Sequence, residues 1–88
     1  MGRHNRFLAQ LLGGRADANV RFEAVCALLR RLGFQERTRG SHRVFRRAGV
    51  EELINLQRDG DMAKVYQVRQ VRAVLVRYGL TTIEGDEE

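Results

Sequence analysis

A histidine among arginines marks the segment TRGSHRVFRR, residues 38–47. His42 follows a Gly-Ser pair, and Arg39 and Arg43 stand close on either side of it. A neutral imidazole can accept the proton of a ribose 2′-OH, and guanidiniums can stabilise the charge that develops on the attacked phosphate. The segment is therefore a candidate site for metal-independent RNA cleavage, with His42 as the general base. Arg39 and Arg43 are the predicted phosphate contacts, and Ser41 is a predicted RNA contact.

The alternative for His42 is an ordinary polar residue on an exposed strand. Strand parity leaves the question open, because side chains alternate between the two faces of a sheet. If Val44 faces the core, then His42 does as well; if Phe45 faces the core, then His42 points outward. A bulge at Gly40-Ser41 would also redirect the histidine.

A second basic segment is AKVYQVRQVR, residues 63–72. Lys64 precedes a predicted helix, and Gln67 lies near its N-terminus, where free N–H groups favour an anion. Arg69 and Arg72 are three residues apart, on the face away from the apolar stripe. We predict that Lys64 contacts phosphate and that Gln67, Arg69 and Arg72 bind RNA. The alternative is a solvated helix face.

The charge balance also indicates a polyanionic partner. The chain has 16 Lys and Arg against 11 Asp and Glu, a net charge of +5. Four of the acids fall within residues 84–88, so residues 1–83 carry +9. All the bases except Lys64 are arginine, which binds phosphate through two parallel hydrogen bonds and stacks on bases. Nucleic acid is therefore the predicted partner class, and an arginine-rich composition with ordinary solvated faces is the alternative.

Several classes of protein are disfavoured by what the chain contains. Its 88 residues suggest one domain, and a single cysteine, Cys26, rules out an internal disulfide and fits a reducing compartment. No apolar run approaches the roughly 20 residues of a membrane span, and the N-terminus has no signal-peptide pattern. No Cys/His cluster has metal-ligand spacing. We therefore expect a soluble cytoplasmic protein with no metal, no cofactor and no membrane partner.

The candidate residues must be positioned by the elements around them. Apolar residues at helical spacing predict a short helix over 6–12 and longer helices over about 20–32 and 67–78. Asp17 or Asn19 is expected to cap the second of these. Gly33 and Gly79 each precede an apolar residue, which predicts that both longer helices end in a Schellman motif.

Three short strands are predicted at 34–39, 42–47 and 50–57, with a polar loop at 58–61. The predicted fold is α+β, in the order α-β-β-β-α, with a three-stranded antiparallel sheet and the helices on one face. The other sheet face is left to water or a partner. Three divisions of the chain follow, namely an N-terminal extension (1–16), the main domain (17–82) and an acidic tail predicted to be disordered (83–88).

Two runs, RFEAVCALLRRLGFQERTRGSHRVF and INLQRDGDMAKVYQVRQVRAVL, resemble the HicA family of toxins from type II toxin–antitoxin pairs. The resemblance covers about residues 17–80 and rests on the LGF helix end, the RGSH turn, the NLQ strand end and the AK-x-YQVRQVR helix. It implies a double-stranded-RNA-binding-domain-like fold, an endoribonuclease that degrades mRNA, and a neutralising HicB-like antitoxin partner. The family's essential histidine follows Gly-Ser and corresponds to His42. Many members carry a second histidine where this chain has Arg43.

Two alternatives to the nuclease stay open. One is a non-catalytic RNA-binding module of the same fold. The other is an antitoxin-binding protein with weakened nuclease activity, in which the basic face docks an acidic antitoxin by electrostatic steering.

Overall fold

The computed structural model describes residues 2–86 and contains three α-helices and a four-stranded antiparallel sheet of order β1-β2-β3-β4. The elements are α1 (Arg3–Gly13), α2 (Phe22–Arg31), β1 (Gln35–Arg39), β2 (His42–Arg46), β3 (Ile54–Asp59), β4 (Met62–Ala63) and α3 (Val65–Arg77). A 3₁₀ turn (Asp17–Asn19) precedes α2. The α+β prediction is confirmed, but the sheet has four strands where three were predicted. Within residues 2–86, no helix is both long and apolar enough to cross a membrane.

The core lies between one face of the sheet and the helices. The predicted stripes of α2 and α3 are buried almost throughout, at Phe22, Val25, Leu28, Leu29, Leu32, Val68, Val71 and Leu75. From the sheet side they meet Phe45, Ile54 and Leu56, all fully buried. Leu8 and Leu11 of α1 belong to the same core. The segment predicted as an N-terminal extension (1–16) therefore contributes to the domain.

Both predicted Schellman ends are present. At the end of α2, Gly33 has a φ of +92°, and Phe34 N–H donates to Leu29 O at 3.0 Å. The end of α3 repeats this around Gly79, with a φ of +67° and a bond from the next N–H to Leu75 O at 2.8 Å. Glycine adopts positive φ without the steric cost of a Cβ, so these two positions end the helices sharply.

The third predicted strand, 50–57, begins only at Ile54. The connection from β2 is a loop over residues 47–53, whereas the predicted strands at 42–47 and 50–57 left only residues 48 and 49 between them. The Tyr78 hydroxyl at the end of α3 accepts a hydrogen bond from Glu51 N–H at 3.2 Å. Because the loop is held to α3, its backbone does not continue the sheet ladder.

The predicted polar loop RDGD (58–61) is instead part of a second hairpin. Arg58 and Asp59 extend β3, and Arg58 pairs with Ala63 of the additional strand β4. Ala63 N–H also donates to Val20 O at 2.8 Å. The extra strand forms because it lies between β3 and the segment that leads into α2, and both offer backbone partners.

The start of α2 differs from the prediction as well. Neither Asp17 nor Asn19 caps it; the N-cap is Arg21, which forms no side-chain cap bond within residues 2–86. The Asp17 carboxylate pairs with the Arg72 guanidinium of α3 instead. Asp17, which the local sequence predicted as a helix cap, therefore forms an ion pair with a residue of the distant helix α3 instead.

The chain end predicted to be a disordered tail (83–88) is held against α1 as far as it is described. Ile83 is buried, and its backbone N–H and C=O both bond the Asn5 side chain at 2.8 Å. Asp86 accepts from Asn5 N–H at 2.7 Å and contacts His4 at 3.1 Å. The last two residues of the predicted tail lie outside the described residues.

We expect Asn5→Ala to lower the free energy of unfolding by about 1–3 kcal/mol, because it leaves two backbone groups of Ile83 without partners. Gln10→Ala is the matched control, since Gln10 is exposed on the same helix. Urea denaturation measures both. Equal losses of unfolding free energy in the two variants would show that the hydrogen bonds between Asn5 and Ile83 contribute nothing to stability.

Candidate functional site

Strand alternation divides the sheet into a face covered by the helices and an open face. Phe45 of β2 is fully buried and pairs with the equally buried Ile54 of β3. His42 and Val44 therefore point to the open face, which decides the parity that the sequence left open. The β1–β2 register runs without interruption up to the Gly40–Ser41 turn, so no bulge redirects the histidine.

The open face is basic and rich in amides. Its positions on the first three strands are Gln35, Arg37, Arg39, His42, Val44, Arg46, Asn55, Gln57 and the single acid Asp59. Within residues 2–86, the three arginines of this face form no ion pair. Their charge is therefore available to an anionic ligand.

His42 is held by an amide on the neighbouring strand. Its Nδ1 lies 3.0 Å from Asn55 Oδ1. A carboxamide oxygen only accepts, so Nδ1 is the donor in this contact, and in the neutral ring the lone pair is then on Nε2. Gln57 lies directly across from His42, and its Nε2 is 3.5 Å from Ser41 Oγ. The bond to Asn55 orients the ring so that a neutral His42 can use Nε2 as a general base.

Asn55 and Gln57 were not among the predicted site residues. Both lie in the NLQ motif, which the sequence marked only as the end of a strand. Their relation to His42 depends on the β2–β3 register, in which His42 pairs with Gln57. Alternation along β3 could have identified them, because residues 55 and 57 lie on the face of the strand opposite to Ile54.

Arg39 and Arg43 were predicted to flank His42 together, and the sheet separates them. Arg39 pairs directly with His42 across the turn and shares its face. Arg43 points to the helix face, where Nη1 lies 2.9 Å from Glu23 Oε1 and the guanidinium stacks on Phe22. His42 and Arg43 are adjacent on β2, and adjacent side chains of a strand point to opposite faces of the sheet, so Arg43 cannot share the face of His42 and Arg39.

Gln67 is placed as a link within the fold. It is 3% exposed, and its Oε1 accepts from Gln57 N–H at 3.1 Å, supplying the edge of β3 with an acceptor beyond the short β4. It therefore supports the strand that faces His42 and does not present a free amide to RNA. Lys64 stands just before α3 as its N-cap residue and is partly exposed.

Arg69 and Arg72, predicted as a pair on one helix face, have different surroundings. Arg72 donates from Nε to Leu11 O at 2.8 Å and pairs with Asp17, so it joins α3 to α1 and the 3₁₀ turn. The Arg69 side chain is 70% exposed, with its Nε 3.8 Å from Asp17. Of the two, Arg69 is the one open to a ligand.

A shallow cavity of about 200 Å³ adjoins the turn that carries His42, lined by Phe22, Thr38, Gly40, Ser41, His42, Arg43 and Arg58. Two larger cavities, of about 650 and 670 Å³, lie beside α1 and beside the β2–β3 loop, and His42 lines neither. Within residues 2–86, no group of three or more His, Cys, Asp or Glu side chains is arranged to hold a metal ion.

The chain matches no protein-family profile, and searches of curated proteins and of solved structures find no match to it. Function is therefore inferred from the open face itself and from the HicA-like sequence runs.

Proposed function

We propose that this protein is the toxin of a type II toxin–antitoxin pair, a metal-independent endoribonuclease of HicA type that cleaves mRNA and so inhibits translation. The observation that carries the proposal is the bond between His42 Nδ1 and Asn55 Oδ1 on a sheet face lined by arginines without ion pairs within residues 2–86. This arrangement combines an oriented base with a cationic surface that attracts RNA.

The arrangement of elements supports the same proposal. The order α2-β1-β2-β3-α3, with the helices against one sheet face, agrees with the double-stranded-RNA-binding-domain-like fold that the HicA resemblance implies. We assign the protein to that fold, with α1 and β4 as additions. α1 packs on α2 and α3, away from the open face, so neither addition covers His42.

The proposed reaction uses the nucleophile that RNA itself carries. His42 Nε2 takes the proton of a 2′-OH, and the oxygen attacks the adjacent phosphorus as the bond to the 5′-oxygen breaks. Arg39 and Arg37 of the same face stabilise the negative charge on the transition state. Water supplies the proton to the leaving 5′-oxygen. The products are a 2′,3′-cyclic phosphate and a 5′-hydroxyl.

The chemistry of the RNA ends tests this reaction. Purified protein is incubated with a defined RNA in excess EDTA, and the product ends are mapped. We expect cyclic phosphate and 5′-hydroxyl ends, and no cleavage when the sugar at the cut site is 2′-deoxy. Ends bearing a 5′-phosphate, or cleavage that EDTA abolishes, would rule out the proposed chemistry.

Asn55 is expected to set the tautomer of His42. Asn55→Ala should lower the cleavage rate by up to about tenfold, since one net hydrogen bond contributes roughly 0.5–1.5 kcal/mol. In ¹⁵N spectra, the single His42 tautomer should become a mixture. Asn55→Asp retains an acceptor and is expected to keep the wild-type tautomer. An unchanged spectrum in Asn55→Ala would show that the amide does not orient the ring.

A non-catalytic RNA-binding module is the second candidate. The favouring observation is that the partner of His42 is an amide and not a second acid or base. Arg43, in the place of the family's second histidine, points to the other face of the sheet. Tight binding of RNA that stays intact under all conditions would establish this function in place of the nuclease.

The proposed toxin requires a neutralising partner, which we propose to be a HicB-like antitoxin acting in the cytoplasm. The arginines of the open face offer charge complementarity to an acidic protein. Co-expression with the neighbouring reading frame should relieve growth arrest and yield a complex that dissociates more readily at high salt. Growth arrest that persists despite co-expression would argue against this partner.

A further inference from the structure

Two arginines on the helix face of the sheet converge on one carboxylate. Arg43 Nη1 of β2 lies 2.9 Å from Glu23 Oε1, and Arg58 Nη2 of β3 lies 3.0 Å from Oε2 of the same residue. Each guanidinium therefore takes a different oxygen of one anion. Charge-assisted bonds of this kind are also the way that proteins hold phosphate oxygens.

The arginine pair, Arg43 and Arg58, is held by more than the acid. The two guanidinium carbons lie 5.2 and 5.0 Å from the centre of the Phe22 ring. Phe22 is 2% exposed, so the ring is fixed in the core. Contact with an aromatic ring attracts a guanidinium. The ring, and for Arg43 also Glu36 Oε2 at 3.5 Å from its Nη1, therefore support the pair in addition to Glu23.

Glu23 is suited to be a replaceable occupant. Its hydrogen bond with Arg43 and the nearby charges of Arg43 and Arg58 hold its pKa below the usual range, so it is ionised at neutral pH. Its side chain is 54% exposed, and exposed ion pairs contribute little free energy. It also lies in the first turn of α2, where the helix dipole favours an anion.

The arginine pair adjoins the turn that carries the candidate base. The cavity of about 200 Å³ is lined by Arg43 and Arg58 as well as by Ser41 and His42. A nucleic acid strand that crosses the β1–β2 turn would therefore meet the open face on one side and the arginine pair on the other.

We propose that Arg43 and Arg58 form a phosphate subsite for single-stranded RNA, which Glu23 occupies until a backbone phosphate replaces it. The subsite rests on the proposed function for the identity of its ligand. It gives Arg43 a binding role away from the face of His42. It also makes Glu23 a competitor that weakens RNA binding.

Affinity for a short fluorescein-labelled oligodeoxyuridine tests the subsite. This probe lacks the 2′-OH and is not cleaved, so binding is measured apart from catalysis. Glu23→Gln should bind about threefold tighter, as removal of a weak exposed ion pair implies. Glu84→Gln, an equal charge change at an exposed residue of the C-terminal segment, should give a smaller gain.

The arginine variants complete the test. Arg58→Ala should bind more weakly and reduce the salt dependence of log K by about 0.7, the value for one phosphate contact on a single strand. In the background of Arg43→Ala and Arg58→Ala, Glu23→Gln should no longer tighten binding. Urea denaturation establishes that each variant is folded at the assay temperature.

Two results would overturn the subsite. One is a Glu23→Gln variant that binds no tighter than Glu84→Gln, and the other is a gain that persists without both arginines. The nuclease proposal is judged separately. If His42-dependent cleavage occurs while Glu23→Gln changes nothing, only the subsite fails. If the arginine-dependent gain occurs without any RNA cleavage, only the nuclease fails.

Discussion

Replacing His42 by Ala is expected to lower the rate of RNA cleavage by about 10²–10⁴-fold, the usual contribution of a general base. The fold should be unaffected, because the side chain lies on the open face and bonds only Asn55 among the described residues. The remaining activity would come from the arginines that bind and polarise the phosphate. Single-turnover cleavage of a labelled RNA measures the loss directly.

His4→Ala is the matched control, since the only other histidine lies on α1 and contacts Asp86. It should cleave RNA at the wild-type rate. In cells, wild type and His4→Ala should arrest growth and deplete mRNA, whereas His42→Ala should do neither. If His42→Ala cleaves RNA or arrests growth as strongly as wild type, then His42 is not the general base.

Phe45→Ala should cause the largest loss of stability, about 3–5 kcal/mol in the free energy of unfolding, because it opens a cavity in the centre of the core. Natural domains unfold with only about 5–15 kcal/mol, so much of the variant would be unfolded at moderate urea concentrations. Urea denaturation followed by circular dichroism measures the loss.

Val44→Ala is the matched control, and its stability relative to Phe45→Ala tests which face of β2 carries His42. Val44 is the neighbour of Phe45 and shares the open face with His42, so its truncation should cost less than about 1 kcal/mol. The pair of variants thus reports which side of β2 faces the core. If Val44→Ala were the more damaging, His42 would point inward and the open face as described would be wrong.

The helix ends show how local sequence determines structure. Gly33 and Gly79 each stand one residue before an apolar side chain, and both helices end there with Schellman bonds. The motif involves only residues close together in the chain, so its pattern can be read directly. The apolar stripes of α2 and α3 were predictable for the same reason, because helical periodicity is a property of one segment.

The strands show where local sequence is insufficient. Residues 50–53 have apolar members and were predicted to be β, yet Tyr78 holds the loop by bonding Glu51 and Glu52. β4 forms where a polar loop was predicted, because β3 and Val20 both provide partners. Each outcome depends on residues that are distant in sequence, so a prediction made from a short stretch of the chain cannot include them.

The sequence by itself determined the α+β class, the helix ends, and the placing of a histidine and four arginines within residues 38–47. Only the tertiary structure decided which of these act together. Because Phe45 is buried, His42 lies on the open face. The β2–β3 register places Asn55 beside His42 Nδ1. Strand alternation places Arg43 on the other face, where it contacts Glu23. Residue types and spacing are local, whereas the face that a strand buries depends on the whole core.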